Sequence, residues 1–192
     1  MFLDIKLGIL WAFFVALLFE KIITPEWILA GVVFALLPDI DFWFEYWKRG
    51  TVGGTIIDLH RTLLHAPMAY IPITLFVGTY HGPAWMALFA LGIFGHHLHD
   101  SVGMGYGIRW LWPFTDHWYK FFSGKDGEIY YDFRHFFVSW NDREMRELVA
   151  KRGNDNWLRE DIAYIRRHWK SIIGKLIITL IGITLLIIVL PL

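Results

Sequence analysis

The stretch IIGKLIITLIGITLLIIVL, running from Ile172 to Leu190, decides the fold class, and Lys175 is its only charged residue. At 1.5 Å rise per residue it reaches about 28 Å, close to the hydrocarbon thickness of a bilayer. Arg166, Arg167 and Lys170 precede it. The pattern predicts a membrane-spanning helix whose basic flank stays in the cytoplasm.

Working outward, four earlier apolar stretches are shorter: 7–19, 27–37, 67–80 and 83–95. Each alone fits either a span or a buried helix. Pro25, Pro67 and Pro83 stand at the starts of the last three, where a missing N–H is harmless, and Gly82-Pro83 marks a tight turn. The middle of the chain therefore reads as two helical hairpins. No small-residue cleavage site follows the first apolar stretch, which ends at Phe19-Glu20-Lys21 and is expected to be retained.

Charge placement provides a separate check. Five alternating spans with the N-terminus inside put residues 41–64 and 101–171 in the cytoplasm, and these segments hold 15 of the 18 Lys and Arg. The short segments assigned outside contain only Lys21. This is the expected asymmetry of cytoplasmic loops. A four-span version, with the first hairpin half inserted, gives a similar tally. The expected fold class is all-α: a polytopic membrane helical bundle of four or five spans. Residues 1–100 form the bundle that carries the site motifs, 101–170 a cytoplasmic segment against the inner leaflet, and 171–192 the last span.

The 101–170 segment is too charged to span. Trp110, Trp112, Trp118, Tyr119, Phe121 and Phe122 give its first half a headgroup-level composition, and residues 142–151 and 154–170 have helical periodicity. The stretch Phe133 to Trp140 either covers the site or contacts a partner, and periodicity does not decide between them.

Composition narrows the chemistry. Hydrophobic residues make up 56% of the chain, above the roughly 45–50% of soluble domains. Formal charge is zero, so no basic field points to nucleic acid. There is no cysteine, which excludes disulfides, thiolate metal sites and a Cys nucleophile, and leaves nine histidines and the carboxylates as strong ligands.

Three stretches gather those residues, and the topology above brings all three to one membrane face. Leu37-Pro38-Asp39-Ile40-Asp41 sets two carboxylates at a helix end, where they serve as ligands or as solvated acids. His60-Arg61-Thr62-Leu63-Leu64-His65 spaces two imidazoles about 140° apart on a regular helix, so they converge only if the helix breaks. The alternative is an interfacial His pair with Arg61 on a lipid phosphate. In Gly95-His96-His97-Leu98-His99-Asp100-Ser101, His96 and Asp100 share one helix face, a spacing suited to two ligands of one cation. His97 points elsewhere, and His99 is intermediate. Polar groups at such depth are costly unless paired or metallated.

These motifs, followed by Trp112-Pro113-Phe114, resemble the YdjM-like family of LexA-regulated, membrane-bound metal-dependent hydrolases over residues 25–115. That family runs Leu-Pro-Asp-x-Asp, His-Arg-x-x-Thr-His-Ser, His-x-x-x-Asp and a Pro-Phe pair. Leu64 and Ala66 stand where it has Thr and Ser. The resemblance implies a membrane-embedded hydrolase, and relatedness to zinc-dependent phospholipases and nucleases favours a phosphoester. Carried over position by position, it marks Asp39, Asp41, His60, Arg61, His65, His96 and Asp100.

The expectation is that Asp39, Asp41, His65, His96 and Asp100 hold a divalent metal. Zn is favoured by the O and N donors, with Mn or Fe as alternatives. Metal-activated water would attack, Arg61 would neutralise a phosphate oxygen, and His60 would be ligand or acid. Membrane lipids are the expected partners, with an amphiphilic phosphoester as substrate.

Rival readings have weaker sequence support. None of the four serines sits in Gly-x-Ser-x-Gly, which counts against Ser101 as a nucleophile. Gly103-Met104-Gly105-Tyr106-Gly107 resembles a phosphate loop only loosely, lacking a preceding strand and a following basic residue. A noncatalytic metal-binding protein or carrier is the alternative function, although carriers usually place ionisable groups at midspan.

Overall fold

A computed structural model of the chain describes residues 2–57, 61–62, 64–102 and 105–189. The chain divides into two compact units, Met1–Gly153 and Asn154–Leu192.

In the first unit, helices α1 (Phe2–Leu18), α2 (Pro25–Leu36) and α5 (Pro83–Val102) pack against one another, and α4 (Ile71–His81) forms a hairpin with α5. Thr24 caps α2 by accepting from the Trp27 backbone N–H at 3.3 Å, with Pro25 in the first turn. Small residues let the backbones meet. A Cβ on Gly8 would lie 2.5 Å from the Gly31 carbonyl oxygen, and one on Gly92 would lie 2.9 Å from Phe34 Cβ. Close approach through glycine is how apolar helices associate where lipid removes the hydrophobic drive between them. Ala12, Val15, Ala16, Trp27, Ala84 and Leu88 fill the centre, and Trp27 Nε1 donates to the Ala12 carbonyl at 2.8 Å.

Below α2 the chain tightens into a 3₁₀ turn, Leu37–Asp39, and leaves as α3 (Ile40–Arg49), which ends at Gly50 in the left-handed region (φ 71°). Asp41 and Glu45 turn inward, whereas Trp43, Phe44 and Trp47 are exposed. An aromatic outer face of this kind suits the headgroup layer. A second 3₁₀ turn, Pro67–Tyr70, leads into α4.

The segment after α5 is not wholly helical, which corrects the all-α expectation. Strands β1 (Trp118–Phe121) and β2 (Phe137–Trp140) pair antiparallel, with Trp118 opposite Trp140 and Lys120 opposite Val138. Both strands have four residues, and Lys120 occupies an inward position between Trp118 and the next turn. So short a run, interrupted by a charge, carries no readable alternation of apolar and polar residues. Helix α6 (Asp142–Arg152) packs Met145, Leu148 and Val149 on the sheet, behind a capping box of Asn141 and Glu144. The chain is thus mostly helical, with one small sheet among the described residues.

The second unit is helix α7 (Trp157–Val189), interrupted by non-helical backbone at His168. The expected last span is helical as far as Val189, and Leu190 lies outside the described residues. By length and composition, one helical run among the described residues, Pro25–Arg49, is long and apolar enough to cross a membrane.

Candidate metal centre

Four side chains from three places in the sequence converge at one end of the first unit. Asp39 closes the 3₁₀ turn after α2, where buried Pro38 ends the helix and redirects the chain. His65 lies in the turn before Pro67; the intervening Ala66 is extended (φ −113°, ψ 101°), as a residue before proline must be. His96 and Asp100 stand one turn apart on α5.

His65 Nε2 lies 3.4 Å from His96 Nε2, 3.6 Å from Asp39 Oδ1 and 3.3 Å from Asp100 Oδ2. His96 Nε2 lies 3.6 Å from Asp39 Oδ1 and 3.7 Å from Asp100 Oδ2. A tetrahedral ion with ligands at roughly 2.0–2.2 Å has ligand-to-ligand edges of about 3.3–3.6 Å. Five of the six edges among these donors thus match a tetrahedral cation site to within a tenth of an ångström or so. Asp39, His65 and His96 each offer one donor atom, all within 4.8 Å of one another, close enough to share a metal ion. The two imidazoles are fully buried, Asp100 nearly so, and Asp39, at 26% exposure, marks the open side.

Groups behind the donors hold them in position. His96 Nδ1 donates to the Ala35 carbonyl oxygen at 2.9 Å, which leaves Nε2 as the lone-pair nitrogen facing the cluster. Asp41 faces the other side of His65, with Oδ2 3.8 Å from Nδ1. Burial pulls the His65 imidazole down, but Asp100, Asp39 and Asp41 around it push it up to about 10. The pocket therefore attracts positive charge at its centre.

The remaining sequence candidates fall around this cluster. Arg61 Nη1 lies 3.7 Å from Asp100 Oδ2. His60 lies outside the described residues. His97 points away and donates from Nδ1 to the Ile93 carbonyl at 2.7 Å. Ser101 is buried, donating to the His97 carbonyl and accepting from Trp110 Nε1, so its hydroxyl is committed to structure.

Asp4 was not legible as part of the site. It is 1% exposed on α1, accepts from His99 Nδ1 at 3.0 Å and sits 3.4 Å from His96 Nδ1. A lone acid in an apolar helix was the available signal, since such a group needs a buried partner. Lys120, fully buried near Arg61, was missed for the reason that hid its strand.

Glycine-mediated packing of helices around a buried His and Asp cluster at their ends defines a mostly helical protein with a candidate metal site. The chain belongs to the YdjM inner membrane protein family, whose model matches residues 5–190. It is 32% identical over 113 residues to the inner membrane protein YbcI of Escherichia coli K12, covering 54% of this chain and 62% of that protein. No solved structure matches it. It is accordingly a protein of the inner membrane.

Proposed function

We propose that this protein is a polytopic metal-dependent hydrolase of an amphiphilic phosphoester, with four or five spans and its site on the cytoplasmic face. The observation that carries the reading is the set of donor distances, whose edges suit a tetrahedral divalent cation. With two imidazoles and two carboxylates, Zn is favoured over Mn or Fe.

A cation held by Asp39, His65, His96 and Asp100 would supply Lewis acidity and lower the pKa of a water at the site. The protein's own residues do the rest. Ala35 and Asp4 fix the His96 ring so that one nitrogen always faces the pocket. Arg61, whose Nη1 makes no hydrogen bond among the described residues, offers its guanidinium to a phosphoryl oxygen. The partly exposed Asp39 side is the entry. An apolar groove of about 220 Å³ between α4 and α5, lined by Tyr70, Ile71, Leu75, Ile93 and Phe94, begins one turn before His96 and supports a substrate with an apolar tail.

The test is to purify the protein in detergent, measure bound metal by elemental analysis and assay cleavage of lipid phosphoesters. Loss of both metal and turnover in Asp100→Ala is expected. Equal turnover in that variant and wild type removes the hydrolase reading, and metal uptake into proteoliposomes without turnover replaces it with a carrier.

A further inference from the structure

We infer that Lys120 and Arg61, both against Gly105, form a seat for the oxygens of a phosphoryl group beside the candidate metal centre. This deepens the hydrolase reading and rests on it for the identity of the reacting group. The sequence motifs do not include Lys120.

Lys120 is 2% exposed on the inward face of β1, and its Nζ donates to the Gly105 carbonyl oxygen at 2.6 Å. An ammonium has three protons to donate. Among the described residues no carboxylate lies within ion-pair distance of it. Glu128, whose charge reaches it, is ion-paired with Arg152. A buried charge without a counter-charge is strongly disfavoured unless one arrives.

Arg61 approaches the same residue. A Cβ on Gly105 would lie 3.0 Å from Arg61 Nη2 and 3.2 Å from Cζ, and Gly105 has a φ of +126°. Gly107 (φ +77°) likewise brings the backbone against β1, where a Cβ would lie 3.0 Å from Lys120 Cβ. The glycines thus allow two cations from distant parts of the sequence to close on one peptide. Burial, then Arg61 and Arg152, lower the Lys120 ammonium to about 8. Arg61 already has Asp100 at 3.7 Å, but Lys120 has no carboxylate at ion-pair distance among the described residues, so the pair has positive charge left over for an anionic ligand. Arg61 also contacts Asp100, so a phosphoryl group seated here lies next to the metal donors.

Titration of the metal-loaded, full-length protein in detergent with inorganic phosphate tests the seat. Saturable binding is expected, weakened about tenfold or more in Lys120→Gln, which keeps a donor for Gly105, and restored in Lys120→Arg, with metal content unchanged in both. Arg61→Gln, at a partly exposed position, carries the same test if Lys120→Gln does not fold. Displacement of phosphate by short-chain phosphatidic acid better than by glycerol phosphate assigns the seat to a lipid headgroup. Equal displacement assigns it to a soluble phosphate, and no displacement by either overturns the proposal. Absence of saturable binding to wild type, or equal affinity in Lys120→Gln and wild type, also overturns it. Phosphate binding without turnover would remove the hydrolase reading and leave the seat, whereas turnover without phosphate binding would do the reverse.

Discussion

His96 Nδ1 and the Ala35 carbonyl oxygen, 61 residues apart in sequence, are joined by a 2.9 Å hydrogen bond that crosses from α5 to α2. The bond ties the ring orientation of a candidate metal donor to the packing of two helices. Glycine makes the crossing possible, because Gly92 brings α5 to within 3.2 Å of the Ala35 backbone nitrogen, measured from an added Cβ. The orientation of a ring at the candidate metal site is therefore coupled to helix packing in this fold.

Asp4 stands behind the same ring, 3.4 Å from Nδ1, and also holds His99. Groups that orient a ligating histidine typically contribute 10- to 100-fold in metal affinity. Asp4→Asn is expected to weaken zinc binding by a factor of that order in a chelator competition, while His96→Ala abolishes it. Unchanged affinity in Asp4→Asn would show that Ala35 alone orients the ring.

The close helix crossings make stability sensitive to single methyl groups. Gly31→Ala drives a methyl to 2.5 Å from the Gly8 carbonyl oxygen, whereas Gly50→Ala meets nothing within 4 Å and carries only the strain of φ +71°. Overpacking of this kind costs about 1–3 kcal/mol, against about 1 kcal/mol for the left-handed residue. Thermal unfolding in detergent should rank Gly31→Ala well below Gly50→Ala, and the reverse order would mean that the α1–α2 crossing yields freely.

Lys120 predicts a pH dependence. Its ammonium titrates at about 8 in the folded protein and near 10.5 when exposed. Below pH 8 both states are protonated and folding bears the whole penalty. Between about 8 and 10.5 the unfolded chain binds more protons than the folded one, so stability rises with pH across that window and levels above it. Melting temperatures of wild type minus those of Lys120→Gln should climb across the window. A flat difference would show that the ammonium is not disfavoured by folding.

How much of this was readable beforehand follows from the range of each signal. The i, i+4 relation of His96 and Asp100 is local to one helix, and α5 continues through both. The helix after Pro83 and the turn at Pro38 were equally local and equally legible. His65 joins them only through a broken backbone, which the motif required without revealing its path. Asp4, on the first helix, reaches His96, and Lys120, in a four-residue strand, reaches Gly105, through tertiary packing with no periodic trace. The strands were hidden for the same reason, since tertiary context outweighs propensity in runs that short.

The two aspartates of Leu-Pro-Asp-Ile-Asp separate into different roles on geometry. Asp39 Oδ1 lies 3.6 Å from both His65 Nε2 and His96 Nε2, at an edge length suited to a shared cation. Asp41 Oδ2 faces His65 Nδ1 at 3.8 Å, on the far side of the ring, where it can orient the ligand but not complete the same tetrahedron. Removing a ligand takes away a bond to the ion, whereas removing an orienting group leaves the bond with a looser ring. Asp39→Asn is therefore expected to lower zinc affinity by more than about 100-fold and Asp41→Asn by about tenfold, read by chelator competition on protein whose fold is checked by circular dichroism. Equal losses would mean that Asp41 binds a cation itself, and the centre would then hold two ions rather than one.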